Sequence, residues 1–271
     1  MSTDQEWENW GARDPYFGVL TLPEFRSGAL TAQAKDTFFS SGRDHVSYVL
    51  DVSRRALDPA FAPRDVLDFG CGVGRLVVPF AALAPRVVGM DISPSMLAEA
   101  RRNCDERGAS HAELVPSDDA LSAAPGEFDL VHSCIVLQHL EVARGRALFA
   151  ALVGKVRAGG IGALHITYGW DIYAASFGQP PVPEPEPVAS PPGPLSQAKG
   201  WLRRLLLPAL SALPAPKPEV TPDPEMQMNY YNLSELMFVL HQAGVRQVHT
   251  ECTDHGGALG AFLFFRKAHA G

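Results

Sequence analysis

From Asp65 onward, short apolar runs alternate with amphipathic stretches, and that alternation predicts parallel strands joined by covering helices. The runs place strands at Asp65–Phe69, Arg86–Met90, Ala112–Val115, Phe128–Ser133 and Gly160–Thr167. Two further runs, Val245–Cys252 and Ala258–Phe265, are joined by Asp254, His255, Gly256 and Gly257 and read as a closing antiparallel hairpin. The helices between them carry their own punctuation. Ser93 followed by Pro94 is an N-cap with proline at the first helical position, Met96, Ala100 and Cys104 recur at helical spacing, and Gly108 is the stop. Asn232 and Glu235 stand at capping-box spacing before the stripe Leu236, Met237, Leu240 and Ala243, which Gly244 ends. Residues 1–60, with Trp7, Trp10, Tyr16, Phe17, Phe25, Phe38 and Phe39 ahead of any strand signal, read as a helical N-terminal cap.

One stretch breaks the pattern. Residues 178–224 hold 14 of the 23 prolines of the 271-residue chain and form an insertion, which leaves 61–177 and 225–271 as the α/β core. Within the insertion, Leu195–Leu207 reads as a short leucine-rich helix stopped by Pro208. Its simplest use is packing on its own domain or on a second copy, a homodimer contact; binding at a membrane surface through Trp201, Arg203 and Arg204 is the sharper alternative. With 23 Lys and Arg against 30 Asp and Glu the net charge is −7, which lacks the basic footprint of a nucleic-acid binder. Cys71, Cys104, Cys134 and Cys252 are scattered without metal-ligand or disulfide spacing. The acidic start and the absence of an apolar run of 18 residues give neither a signal peptide nor a membrane span, so a cytoplasmic protein is expected.

The chemistry concentrates in VLDFGCGVGRL, residues 66–76, where a strand runs into Gly70, Gly72 and Gly74. Such a turn needs backbone angles that a Cβ forbids, and it lets a ligand touch the main chain. Asp91 ends the next strand, where a carboxylate can accept hydrogen bonds from both hydroxyls of a ribose. A dinucleotide site would have a third glycine where Arg75 stands.

The alternating glycines behind Asp68 resemble motif I of the class I S-adenosylmethionine-dependent methyltransferases, and the resemblance covers about residues 65–170 and the C-terminal 40. It implies a Rossmann-like, doubly wound seven-stranded sheet, mostly parallel with an antiparallel strand at the C-terminal hairpin. It further implies that Asp68 and the glycines hold the methionine half of S-adenosyl-L-methionine, that Asp91 and Ile92 hold ribose and adenine, and that Asp118 meets the adenine amino group. Ser133, in FDLVHSCIVLQHL, would close the fourth strand at the cofactor, and Phe39 and Arg43 of the cap would meet it from above, Arg43 at its carboxylate. The product would be S-adenosyl-L-homocysteine.

After the fourth strand, Ser133, Cys134, Ile135 and Val136 replace the Asn-Pro-Pro-Tyr type motif of the family's nucleobase and amide methylators, and no carboxylate cluster suited to Mg²⁺ follows. The expectation is metal-independent O-methylation of a small molecule, a sugar or secondary metabolite, with N- or carboxyl methylation as the alternative. His139, just past the fourth strand, and His255, beside Asp254, are the candidate bases. Tyr168, Tyr230 and Tyr231 flank the insertion and are candidates to line the acceptor site, or core aromatics. Two readings of other classes stay open: a nicotinamide-dependent oxidoreductase, and a cofactor-binding interaction protein without catalysis.

Overall fold

The computed structural model describes residues 2–172 and 222–268. The predicted helix Leu195–Leu207, and the homodimer contact assigned to it, lie outside the described residues. One compact unit comprises Met1–Ala174 and Pro224–Gly271, and every element below belongs to it.

Seven strands form one sheet among the described residues: β1 (Asp65–Phe69), β2 (Arg86–Asp91), β3 (Glu113–Pro116), β4 (Phe128–Ser133), β5 (Val156–Trp170), β6 (Gln247–His255) and β7 (Ala258–Arg266). Their order is β3-β2-β1-β4-β5-β7-β6. The first five run parallel, β7 is antiparallel to β5, and β6 is antiparallel to β7. The chain winds one way from β1 to β3 and the other way from β4, so the direction reverses between β1 and β4. In open α/β sheets that reversal opens a crevice at the carboxyl ends of the strands. The strand cores match the sequence expectation, while β5 extends at both ends to Val156 and Trp170 and β6 begins two residues later than expected, at Gln247. The hairpin turns on Gly256 and Gly257, both at positive φ (69° and 93°), the backbone that a two-residue turn of this hand requires.

The helices are α1 (Thr3–Arg13), α2 (Pro15–Val19), α3 (Ala32–Ala56), α4 (Val77–Ala81), α5 (Pro94–Glu106), α6 (Val142–Lys155) and α7 (Leu233–Gln242). Alternation along β1 divides the core. Val66 packs with Val46, Val49 and Phe80 on the face covered by α3 and α4, whereas Leu67 packs with Leu148, Phe149 and Leu236 on the face covered by α6 and α7. A third cluster, Trp10, Tyr16, Phe25, Phe38, Phe39, Val73 and Met96, joins the N-terminal helices to α5 and the glycine turn. The expected caps form: Ser93 Oγ accepts from the Met96 amide at 3.1 Å, and Asn232 Oδ1 from the Ser234 amide at 2.9 Å. The α5 cap is doubled from outside, because Glu8 of α1 accepts from the Ser93 and Ser95 hydroxyls, both at 2.6 Å, and from the Ser95 amide at 3.1 Å.

Candidate functional site

The crevice holds a cavity of about 560 Å³, within the range of about 300–1,000 Å³ usual for small-molecule sites. One wall is the turn after β1. Gly70 and Gly72 adopt φ of 73° and 51°, and a Cβ on Gly72 would come within 2.5 Å of Val19 Cγ2, so glycine is required by conformation and by space. The turn is tied to β2: the Gly70 and Cys71 amides donate to the Met90 carbonyl at 2.8 and 2.9 Å. Asp91 locks the two turns together, accepting from the Gly72 amide at 2.8 Å on one oxygen and from the Ser93 amide at 2.9 Å on the other. Burial raises the Asp91 carboxyl to about 6 against the lowering effect of these amides.

Asp68 lies in the same cavity, with 2% of its surface exposed. Its Oδ1 is 2.8 Å from His132 Nδ1, and His132 Nε2 is 3.0 Å from His45 Nε2 on α3. Burial, followed by the neighbouring His132, drives His45 down to about 2, so its ring is neutral. A carboxylate can only accept, so Nδ1–H of His132 donates to Asp68, and the two Nε2 atoms share one hydrogen between the rings. A cap helix is thereby wired to a carboxylate of the cavity through two imidazoles.

The opposite wall follows β4. Ile135 takes φ of 58°, a conformation that a β-branched residue rarely adopts, and it turns the chain into a single 3-10 turn, Leu137–His139. His139 lines the cavity, and its Nδ1 donates to the Gln227 carbonyl at 2.8 Å. That bond fixes the tautomer and leaves the lone pair on Nε2. Burial lowers the His139 pKa, while the carbonyls of Gln227 and Ile135 pull it upward. Trp7 of α1 meets the His139 ring edge-on with centroids 4.8 Å apart.

Of the residues singled out by sequence, Asp68, Gly70, Gly72, Asp91, Ile92, Asp118, His139 and His255 line this one cavity. Others stand elsewhere. Gly74 supports the turn, its amide donating to the Cys71 carbonyl at 2.9 Å. Ser133 is fully buried and its Oγ has no hydrogen-bond partner; the chain reaches the cavity only with Cys134, Ile135 and Val136. Phe39 is a core residue of the cap, 1% exposed and covered by the Arg107 guanidinium at 4.0 Å. Arg43 is exposed and does not line the cavity. Arg75 does line it, on the glycine turn, with its Nε buried and unpartnered and its Nη1 donating to Ser41 Oγ at 3.3 Å.

Tyr168 and Tyr230 are each 37% exposed and outside the cavity. Tyr231 is buried, its hydroxyl 2.6 Å from the Leu137 carbonyl and 3.1 Å from that of Leu140, so it holds the 3-10 turn. Asp254 accepts from the Gly257 amide at 2.7 Å and so serves the hairpin turn, while His255 packs edge-on against His165 with centroids 5.2 Å apart. Asp118 accepts from the Ser122 amide at 2.9 Å, and its neighbour Asp119 pairs with Arg144 at 2.9 Å. Sequence reasoning missed Trp7, Arg75, Gln138, Met226 and Met228 as lining residues and His132 as the partner of Asp68. Arg75 was within reach, since it directly follows the glycines.

The methyltransferase-domain family profile matches residues 66–160. A ubiquinone biosynthesis O-methyltransferase of Thiobacillus denitrificans is 39% identical over 100 residues, 36% of this chain and 42% of that protein. A ribosomal protein L11 methyltransferase of Geobacter metallireducens is 40% identical over 106 residues, 39% of this chain and 33% of its own. The chain thus spans less than half the length of these curated relatives. Magnesium protoporphyrin IX methyltransferase from Synechocystis PCC 6803, solved with bound SAM, shares the fold at a TM-score of 0.58 and 16% identity over 99% of this chain and 98% of its own. Residues 66–160, which hold the glycine turn and Asp91, thus match a methyltransferase domain, and the seven-stranded sheet around them is consistent with a class I S-adenosylmethionine-dependent methyltransferase.

Proposed function

We propose that the chain transfers a methyl group from S-adenosylmethionine to a hydroxyl of a small molecule, with His139 as general base and without a metal ion. The observation that carries this reading is the single cavity that unites the glycine turn, Asp91 and a neutral His139. The residues present suit the cofactor: the turn is a cradle that a Cβ would fill, and Arg75 offers a buried, unpartnered guanidinium nitrogen. Asp91 and Ile92 would hold the ribose and adenine, Asp68 the ammonium of the methionine moiety and Arg75, in place of Arg43, its carboxylate. Asp118 at the rim would meet the adenine.

Bound S-adenosylmethionine supplies a methyl already made electrophilic by its sulfonium. The protein's part is to align the acceptor and to take its proton. His139 suits the second task because burial keeps its ring neutral and its Nδ1–H is committed to Gln227. Among the described residues no group of three or more His, Cys, Asp or Glu stands together as a metal site.

Calorimetric titration with S-adenosylmethionine tests the cofactor assignment. Micromolar binding that falls at least tenfold in Asp91→Ala is expected; undiminished binding in that variant refutes it. His139→Ala should retain cofactor binding and lose most of kcat.

A further inference from the structure

Beyond the glycine turn, the part of the cavity left for an acceptor is walled by Trp7, Trp170, Met226, Met228 and Ala258. These are flat or polarizable apolar surfaces, which suit a ring and offer little to a polyol. Of the polar groups beside them among the described residues, Gln138 and His139 are engaged, and His255 meets His165 edge-on. Gln138 accepts from Thr167 Oγ1 at 2.7 Å and its amide nitrogen lies 3.5 Å from Met228 Sδ. His139 has one ring nitrogen committed to Gln227. A sugar, each of whose hydroxyls needs a partner when buried, would leave most of them unsatisfied here.

Charge excludes a second class. Among the described residues two arginines line the cavity, Arg75 and Arg144. Arg144 is clamped by Asp4 at 2.7 Å and by Asp119 at 2.9 Å, and Arg75 stands on the glycine turn at the cofactor end. An acceptor carboxylate or phosphate would enter a cavity lined also by Asp4, Asp68, Asp91, Asp118 and Asp119, with both cations already assigned.

Resting on the methyltransferase reading above, we propose that the acceptor is a neutral, flat aromatic compound carrying a hydroxyl, seated between Trp7 and Met228 with that hydroxyl at His139. In the transfer the phenolic O–H bond breaks and its proton goes to His139 Nε2. The oxygen forms the new O–CH₃ bond as the S–CH₃ bond breaks, and the bonding pair stays on sulfur, leaving neutral S-adenosylhomocysteine. The imidazolium then returns its proton to water.

The test is methyl transfer by the full chain, followed by mass spectrometry, to three matched acceptor sets: neutral phenols and catechols, the same rings bearing a carboxylate, and methyl glycosides. The neutral phenols should show kcat/KM at least tenfold above their carboxylated counterparts, with glycosides inert. Trp7→Ala and Met228→Ala should raise the phenol KM at least tenfold while the calorimetric Kd for S-adenosylmethionine stays within twofold, and Trp7→Phe should restore most of the KM. Cofactor binding together with turnover of glycosides or carboxylated rings at equal or better kcat/KM overturns the acceptor class, as does cofactor binding with no neutral phenol turned over. Absence of cofactor binding strikes the methyltransferase reading itself.

Discussion

Asp68 faces the cavity with one carboxylate oxygen already engaged by His132, and the two side chains are neighbours because β1 and β4 pair with Asp68 opposite His132. The bond sets where the carboxylate points and which proton it sees. His132→Leu leaves a buried carboxylate without that donor, and such orphaned groups cost about 1–3 kcal/mol or more when charged. We therefore expect His132→Leu to weaken S-adenosylmethionine binding about tenfold. His132→Asn keeps an N–H in nearly the same place and should bind within threefold of the wild type, although it breaks the link to His45. Equal loss in both variants, by calorimetry, would show that His132 serves packing alone. Nothing in the sequence marks this pair. Asp68 is legible from the motif, but its partner lies 64 residues away and meets it only through strand register.

At the scale of elements, the sheet was readable because fully buried strands must be continuous apolar runs and because Ser93, Gly108, Asn232 and Gly244 mark helix ends by backbone chemistry. The acceptor side was not. It is built from a 3-10 turn that starts after a strained Ile135 and from an extended segment whose amides and carbonyls, rather than side chains, make the joint: the Asn229 amide donates to the Gln138 carbonyl at 2.7 Å and the Tyr231 amide to the Thr167 carbonyl at 2.9 Å. Main-chain bonds of this kind are blind to residue type, so no motif records them. Tyr231 is where that joint meets a side chain. Tyr231→Phe removes the donor to Leu137 and should lower stability by about 1–2 kcal/mol, read as a shifted urea midpoint, and should loosen the turn that carries His139, read as a fall in kcat with the cofactor Kd unchanged. Unaltered kcat would separate this joint from catalysis. Gly145 of α6 belongs to the same contact, since a Cβ there would overlap the Tyr231 hydroxyl.

Across the whole molecule, the buried imidazoles make stability depend on pH. Burial, reinforced by His132 and His255 respectively, holds His45 near 2 and His165 near 3, and burial also lowers His139. These pKa values lie below the ordinary imidazole value of about 6.5, so as pH falls through that value the unfolded chain takes up protons that the native one refuses. Stability must then fall with pH. From pH 7 to pH 5, His45 and His165 each remove about 2 kcal/mol. Asp91 works the other way: burial raises its carboxyl to about 6, so the native state gains a proton first and recovers about 1 kcal/mol over the same interval. The net loss from these three groups is about 2–3 kcal/mol, and His139 adds to it. Nearer pH 4 a further loss sets in, because Glu99 and Glu251 sit below the usual carboxylate range, burial opposing and bonds from Tyr16 and Tyr48 prevailing. Urea unfolding at pH 7 and pH 5 measures the first interval directly. His45→Phe removes one of the two imidazoles and should shrink the pH 7 to pH 5 difference by about 2 kcal/mol, whatever it does to stability at pH 7. A difference equal to that of the wild type would mean that His45 binds its proton as readily in the native chain as in the unfolded one, and a neutral His45 in the link from α3 to Asp68 would fall with it.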